Sequence, residues 1–300
     1  MMKIKNWLAL LAAVCLLFAG CSRLEGKTTV NIAVDDESQS MLMTEMLVQL
    51  LEQKGIETEL TEVKEGTKSI QPALEAGLFD LYFEDTGKAW SSVLKEPESY
   101  RQSAFDTLMQ KYERMDLAWK GLQKFQLKKT LAVKKDTAQK LNLKTLSDLR
   151  KYKGDLILGI EKEFLESEEG YPLLKTEYSL DGLKTVILTN QLLYPDLSEG
   201  ICTVIPVDLS DGHLSDGKIT ALEDNMNVLP ECRIGYVVRQ NALQKVPVLE
   251  EVLDSLEGLM TLPDLQRLNS LITSGQKTPK EAAALFLEEK GLLGEQKSVK

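Results

Sequence analysis

Histidine, cysteine and aromatic residues are scarce in this sequence, and acidic residues outnumber basic ones. There is one histidine, there are four cysteines, and aromatic side chains make up 6% of the 300 residues. The 36 basic and 46 acidic residues give a formal net charge of −10. Nucleic acid is therefore not an expected partner, because its phosphates require a clustered positive face. No zinc-binding pattern, P-loop or GxGxxG motif is present.

What the sequence does contain is enough apolar material for a core. Hydrophobic residues make up 43% of the chain and charged residues 27%, which is typical of a folded globular protein. The length suits one or two domains.

The N-terminus has the pattern of an export signal. A basic start precedes an apolar run from Trp7 to Phe18, which is too short to span a bilayer comfortably. The run ends in Phe-Ala-Gly followed by Cys21, which resembles the lipobox of bacterial lipoproteins, where the cysteine is acylated. We therefore expect a signal peptide at 1–20 and a polar tether at 21–27. Ordinary secretion with an incidental cysteine is the alternative.

The next part of the chain alternates strand and helix patterns. The predicted elements are a strand at 28–34, a helix at 41–55, a strand at 56–63, a short helix at 69–77 and a strand at 79–84. This order is typical of an α/β fold with a parallel sheet.

A second unit with similar patterns begins near residue 128. Its predicted elements are a capped helix at 145–152 and strands at 155–160, 201–209 and 234–239, and helical patterns then fill 243–293. We therefore expect one lobe built from 28–126 with 240–300, and another from 127–239.

Polar residues gather where the strands of the first unit end. Ligands of open parallel sheets bind beyond the carboxyl ends of the strands, so the loops at 35–40, 65–68 and 84–88 are candidates. The stretch LYFEDTGKAW, at 81–90, shows this best, because a buried strand ends there in two carboxylates and a hydroxyl.

Other chemistry has weaker signals. Paired carboxylates can serve glycosidic acid–base catalysis, which makes Glu84 with Asp85 an enzyme alternative. The acidic run at 35–37 lacks the alternating ligands and glycine turn of a calcium loop, and His213 lies in a polar turn. No nucleophile–base pair is visible, so we expect no enzyme, no metal and no cofactor.

Two cysteines remain after the predicted signal and lipid site. Cys202 and Cys232 could form a disulfide if their Cα atoms came within about 7 Å. Cys202 lies in an apolar, strand-like run, where a buried free cysteine is common. Two free thiols are favoured, with the disulfide as the alternative.

A set of short motifs runs in order through nearly all of the predicted mature chain. The motifs are TEMLVQLLEQKG (44–55), GTKSIQPALEAGLFDLYFEDTG (66–87), TLAV (130–133), EFLESEEGYP (163–172), LLYPDLSEG (192–200), LSDGHL (209–214), YVVR (236–239) and ALFLEEKGLL (284–293). No single motif is specific, but the ordered set resembles the substrate-binding proteins of glycine betaine/carnitine/choline ABC transporters. The resemblance implies a type II periplasmic-binding-protein fold, which is α/β with two discontinuous lobes, each a mainly parallel sheet flanked by helices.

The resemblance also implies a place for the ligand. Family members hold a trimethylammonium head in a box of aromatic residues by cation–π attraction. The alignment puts charged residues at those positions, namely Asp85, Lys129, Asp208 and Glu231. Carboxylates form strong hydrogen bonds with amines and guanidinium groups, whereas a quaternary ammonium offers them no N–H. A slipped alignment would instead make these residues surface charges.

Other family positions are partly retained. Thr67 and Thr86 match the family, whereas Ser40 and Ser167 stand where it has glutamine and arginine. The expected ligand-binding residues are therefore Ser40, Thr67, Asp85, Thr86, Lys129, Asp208, Ser210 and Glu231.

These expectations combine into one function. We expect a lipoprotein anchored to the outer face of the cell membrane that captures a small amine, betaine or other zwitterion in the cleft between its lobes. It would deliver that solute to the permease subunits of an ABC importer. The alternative is a degenerate relative that acts as a scaffold or sensor without transport.

The anchor makes the first testable prediction. Cys21→Ala should release the protein from the membrane fraction, because no segment after residue 21 is apolar for long enough to span a bilayer. Cell fractionation with immunoblotting measures this. Cys15→Ala, within the predicted signal peptide, is the matched control and should remain in the membrane. Retention of Cys21→Ala would contradict the lipid anchor.

Overall fold

The structure, a computed structural model, describes residues 29–64 and 66–294 as two five-stranded sheets with their helices. The predicted signal peptide, the tether and Cys21 lie outside the described residues. Within the described part, no helix is both long and apolar enough to cross a membrane.

The strands and helices follow one another in an α/β order. The strands are β1 Thr29–Val34, β2 Glu57–Glu62, β3 Leu81–Asp85, β4 Leu117–Lys120, β5 Lys129–Lys134, β6 Ile157–Ile160, β7 Lys184–Ile187, β8 Val204–Asp208, β9 Ile219–Ala221 and β10 Ile234–Arg239. The α-helices of four residues or more are α1 Ser38–Gln53, α2 Thr67–Glu75, α3 Phe105–Glu113, α4 Lys135–Leu141, α5 Lys162–Glu166, α6 Tyr171–Glu177, α7 Asn190–Glu199, α8 Gln240–Lys245, α9 Pro247–Leu256, α10 Leu262–Thr273 and α11 Pro279–Glu289. Shorter or tighter helical pieces lie at Thr86–Lys88, Ala89–Val93 (a π-helix), Gln102–Ala104, Leu146–Tyr152 and Gly212–Leu214.

The first lobe is defined here as the sheet ordered β2-β1-β3-β10-β4 with its helices. Strands β1, β2 and β3 are parallel, and β10 runs antiparallel to both of its neighbours. Residues alternate between the two faces of a strand, so β1 sends Ile32 into a core with α1 and the C-terminal helices. Its neighbour Ala33 enters a core with Trp90 and Tyr112.

The predicted half-burial of β2 differs from the structure. This strand is paired on one side only, at the edge of the sheet, and nearly all of its residues are exposed, including Leu60 at 42%. The alternating pattern therefore predicted the strand correctly, but the buried face that it also predicted is absent from β2.

The second lobe is the sheet ordered β7-β6-β8-β5-β9 with its helices. It repeats the topology of the first, since β6, β7 and β8 are parallel and β5 runs antiparallel to β8 and β9. The predicted α/β class with two helix-flanked sheets is confirmed, although each sheet contains one reversed strand.

The chain passes between the lobes twice. It leaves β4 through residues 121–128 and returns from β9 through 222–233, and the two crossing segments pair. Leu127 and Cys232 exchange two backbone hydrogen bonds of 2.8 Å. The crossings therefore lie side by side, as a hinge requires.

The return crossing ends earlier than the lobe boundary expected at 239–240. Residues 234–239, assigned from the sequence to the second lobe, form β10 in the middle of the first sheet. The apolar run of β10 suits either sheet, and only its partners β3 and β4 decide the placement.

A buried glutamine fastens the first crossing to the first lobe. Gln123 is 1% exposed, and its amide nitrogen donates to the carbonyl oxygens of Gly121 (3.0 Å) and Leu256 (2.8 Å). Its amide oxygen accepts from Met260 N at 3.0 Å, and its backbone N–H donates to Ile234 O at 2.9 Å. A polar side chain satisfied on every side fixes the backbone that carries it.

The lobes also touch away from the crossings. The turn at 209–214, which follows β8, packs on α10 of the first lobe: Gln266 Nε2 donates to Leu209 O at 2.7 Å, and Asn269 Nδ2 donates to Ser210 O at 2.8 Å. A Cβ on Gly212 would lie 2.4 Å from Ser270 N. Only glycine permits this approach.

This contact generates a stability prediction. Gly212→Ala should lower the free energy of unfolding by about 1–3 kcal/mol, because the backbone at Ser270 must move to admit the methyl group. Urea denaturation measures the change. Gly154→Ala is the matched control, since a Cβ there meets no atom within 4 Å. Equal stability of the two variants would show that the turn does not rest on α10.

Candidate functional site

The carboxyl end of β3 holds two adjacent carboxyl groups in different settings. Glu84 is 4% exposed, accepts a hydrogen bond from the Thr67 hydroxyl, and accepts another from Asp85 N at 2.8 Å. Burial, together with the neighbouring charge of Asp85, raises the pKa of Glu84 to about 8. Glu84 therefore favours its neutral form in the fold.

Asp85 caps the helical turn that follows it. Its Oδ1 accepts from Lys88 N at 2.7 Å, and its Oδ2 lies 4.0 Å from Lys88 Nζ. The same ammonium donates to Glu37 Oε1 at 2.6 Å. Burial raises the pKa of Asp85, and the bonds from Lys88 oppose that rise. Lys88 thus neutralises the end of β3.

The three hydroxyl residues predicted for the site in the first lobe are all buried. Thr86 is fully buried, its N–H donates to Arg233 O at 2.9 Å, and its Oγ1 accepts from Arg233 N at 2.9 Å. Ser40 is 3% exposed and hydrogen-bonds Asp35 at the start of α1. Thr67, at the start of α2, holds Glu84. All three support the carboxyl ends of strands.

The second lobe contributes an exposed ion pair. Lys129 and Asp208 lie opposite each other where β5 pairs with β8, and Lys129 Nζ lies 2.8 Å from Asp208 Oδ2. Their side chains are 37% and 56% exposed. Ser210 lies in the turn after β8, where its carbonyl oxygen accepts from α10.

Glu231 lies on the return crossing and pairs with Lys128. Lys128 Nζ also lies 3.5 Å from Asp224 Oδ2. Asp224 is buried, yet its pKa is lowered, because the Tyr178 hydroxyl and the backbone N–H groups at 228 and 229 donate to it and outweigh burial. This network fixes the return crossing to the second lobe.

Cys232 connects the two groups of residues. Burial raises the pKa of its thiol, and the charges of Asp85 and Asp208 raise it further. Because these carboxylates end β3 and β8, charges at the carboxyl ends of strands from both sheets act on the same thiol. Cys202 and Cys232 are both free, which confirms the favoured expectation.

Sequence reasoning named the acidic residues and one of their cations, Lys129, but missed the other two. Asp85, Asp208 and Glu231 each face a lysine of their own surroundings. Of those lysines only Lys129 was predicted, although Lys88 lies one helical turn after Asp85 and Lys128 directly precedes Lys129. The three-residue spacing of Asp85 and Lys88 is typical of paired charges on a helical turn, and it could have predicted this contact.

The remaining candidates lie apart from these groups. Ser167 is exposed after α5. His213 Nδ1 lies 2.8 Å from Asp211 Oδ1, and its ring stacks on Tyr194 with centroids 3.7 Å apart. Among the described residues, no group of histidine, cysteine and acidic side chains is arranged to hold a metal ion.

Comparison with known proteins decides the family. Residues 28–289 match the model of a family described as the substrate-binding domain of ABC-type glycine betaine transport systems. The chain belongs to this family. The relatives of this chain in the family are named as transport binding proteins.

Two relatives and one solved structure illustrate the match. The chain is 30% identical over 95% of its length to the ergothioneine transport permease/ergothioneine binding protein EgtU of Helicobacter pylori (strain G27), and spans 52% of that protein. It is 24% identical to the carnitine transport binding protein OpuCC of Listeria monocytogenes, covering 95% of this chain and 97% of that one. A crystal structure titled as a glycine betaine/carnitine/choline ABC transporter superposes with a TM-score of 0.82 at 25% identity, covering 88% and 99% of the two chains.

The buried carboxyl of this substrate-binding domain generates a pH prediction. Between pH 4.5 and about 8, folded Glu84 retains a proton that the unfolded chain releases, so stability falls as pH rises through that window. Glu84→Gln keeps a neutral hydrogen-bonding group and should flatten the decline.

Urea unfolding across the same pH range measures the slope. Glu59→Gln, at an exposed position of β2, is the matched control and should follow the wild type. A Glu84→Gln slope equal to that of the wild type would show that Glu84 is ionised in the fold.

Proposed function

We propose that the protein is a lipid-anchored binding protein that captures a small amine, betaine or other zwitterion between its lobes and passes it to an ABC permease. One observation carries the proposal: Asp85 ends a strand of the first sheet and Asp208 ends a strand of the second, and the charges of both act on Cys232 of the return crossing. A solute held there contacts both lobes, and lobe closure around a solute is the usual action of such folds.

The charged side chains suggest what kind of solute binds. Each acidic residue at a proposed cage position already has a lysine, so the cleft presents both signs of charge. A zwitterion can replace an internal ion pair, because its negative group pairs with the lysine and its positive group pairs with the carboxylate. Charge-assisted hydrogen bonds favour a cation that carries N–H, so we propose that quaternary ammonium solutes bind less tightly than amines.

The exposed pair Lys129–Asp208 is the part best suited to such an exchange. Lys88 and Lys128 each contact two carboxylates, whereas Lys129 contacts Asp208 alone among the ion pairs of the described residues. We propose that Lys129 takes the negative group of the solute and Asp208 a positive one. Ser40, Thr67, Thr86, Ser210 and Glu231 are proposed to support the site, with Asp85 in contact with the solute.

The relatives support this class of solute. Ergothioneine, carnitine and glycine betaine appear in the names of proteins that this chain resembles. The order of motifs and the repeated sheet topology also agree with a protein that closes around a solute. We propose that Cys21 carries the lipid and that the hinge lies at 121–128 and 222–233.

A second function is favoured by the same ion pairs. A cleft whose charges already neutralise one another is also expected in a binding-protein relative that acts as a scaffold or sensor. Thermal unfolding of the full-length protein with amines, amino acids and betaines separates the two functions. A solute at 100 times its Kd should stabilise a binding protein by about 2.7 kcal/mol, and a scaffold should not respond.

The contribution of Asp85 can be tested directly. Asp85→Asn should weaken binding of the best amine or zwitterion by about tenfold or more, because hydrogen bonds to charged groups contribute about 1.5–3 kcal/mol. The amide oxygen of the substituted side chain can still accept from Lys88 N, so the fold is expected to persist. Calorimetric titration measures the affinities.

The comparison needs a control and a contrasting ligand. Asp136→Asn, on the exposed start of α4, should bind as the wild type does. Glycine betaine and choline serve as quaternary ligands. If the wild type binds glycine betaine in the micromolar range and Asp85→Asn binds it equally, Asp85 does not contact the solute and the charged cleft does not set specificity.

A further inference from the structure

A buried tyrosine outside the proposed cage positions lies near the end of β3. Tyr100 lies in the loop between the π-helix and α3, and it is 3% exposed. Its ring packs edge-to-face on Trp90 with centroids 5.9 Å apart, and the Trp90 indole donates to Glu98 O at 2.8 Å. The loop therefore holds the ring in one orientation.

The hydroxyl of Tyr100 has no hydrogen bond of ordinary geometry to any described residue. Buried hydroxyls nearly always have a partner, and leaving one unsatisfied is unfavourable. An orphaned hydroxyl at the edge of a binding cleft is the kind of group that a ligand satisfies.

The hydroxyl of Tyr100 lies near the end of β3. Burial raises the pKa of Tyr100, and the Thr86 hydroxyl, which approaches it outside ordinary hydrogen-bond geometry, lowers it. The other groups whose charges reach it are Cys232, Arg233 and Asp85. These residues lie where the end of β3 meets the return crossing, and they include two of the predicted ligand-binding residues.

The loop that carries Tyr100 also contacts the return crossing. The adjacent Arg101 donates from Nη1 to Val228 O on the return crossing at 2.8 Å. The network of Asp224 and Lys128 fastens that stretch to the second lobe. The loop that carries Tyr100 is therefore held against the segment that joins the two lobes.

We propose that Tyr100 is a specificity-determining residue of the cleft, whose hydroxyl donates a hydrogen bond to an oxygen of the bound zwitterion while Asp85 accepts from its N–H cation. This inference rests on the proposed function and narrows its solute class. The solute must carry an oxygen acceptor and a positive nitrogen close enough to meet Tyr100 and Asp85 together.

Matched ligands isolate the oxygen acceptor. L-arginine and agmatine, β-alanine and ethylamine, and glycine betaine and tetramethylammonium are pairs that differ by a carboxylate. Calorimetric titration of full-length wild type and Tyr100→Phe with each pair is the experiment. For the zwitterion that binds most tightly, Tyr100→Phe should weaken binding about three- to tenfold. The affinity of its carboxylate-free counterpart should not change.

Tyr112→Phe is the matched control. Tyr112 is also buried in the core with Trp90, and its hydroxyl likewise has no partner among the described residues. Its ring packs on Trp119 with centroids 5.5 Å apart. Both variants should unfold near the wild-type temperature, because neither hydroxyl makes a hydrogen bond of ordinary geometry with a described residue. Tyr112→Phe should bind every ligand as the wild type does.

Each remaining outcome decides against a specific statement. If the wild type binds a zwitterion and Tyr100→Phe binds it equally, the role of Tyr100 is overturned and the proposed function stands. If Tyr100→Phe weakens a zwitterion and its carboxylate-free counterpart alike, the hydroxyl does not bind the oxygen. If the wild type binds an amine but no zwitterion, this inference is overturned and the proposed function stands. If it binds neither, both are overturned.

Discussion

The pairing of the two crossing segments is the constraint on which the rest of the structure depends. Leu127 and Cys232 exchange backbone hydrogen bonds, and buried Gln123 fixes the first crossing to β10 and to the end of α9. Because the two crossings pair with each other, they join the two sheets at one place. This connectivity is the basis for proposing a binding site that both lobes share.

Electrostatics then limits which side chains the cleft can hold. Burial opposes the charged form of a carboxyl group, and the structure meets this in two ways. Glu84 favours its neutral form, whereas Asp85 and Glu231 keep lysines beside them. Aromatic cages avoid the problem because rings attract a cation without themselves needing a counter-ion. A charged cleft needs internal counter-ions, so any solute must compete with them.

Much of the fold was predictable from periodicity, whereas much of the site was not. Alternation and helical spacing predict most of the strands and long helices, because each element buries one face. The placement of β10 was not predictable, since its apolar run suits either sheet and only long-range pairing decides between them. The site shows the same division. Asp85 is a candidate because of its place at a strand end, whereas Tyr100, 15 positions later in the chain, comes near it only through loop packing.

The contact between the turn at 209–214 and α10 has a geometric consequence for lobe motion. Two bodies joined at one place can swing in several directions, but two bodies joined at two separated places can rotate only about the line through both. The paired crossings are one such place, and the packing contact of Gly212 with Ser270 is the other. While Gly212 stays packed against Ser270, the lobes can rotate only about the line through these two places. The contact therefore restricts the directions in which the lobes can separate.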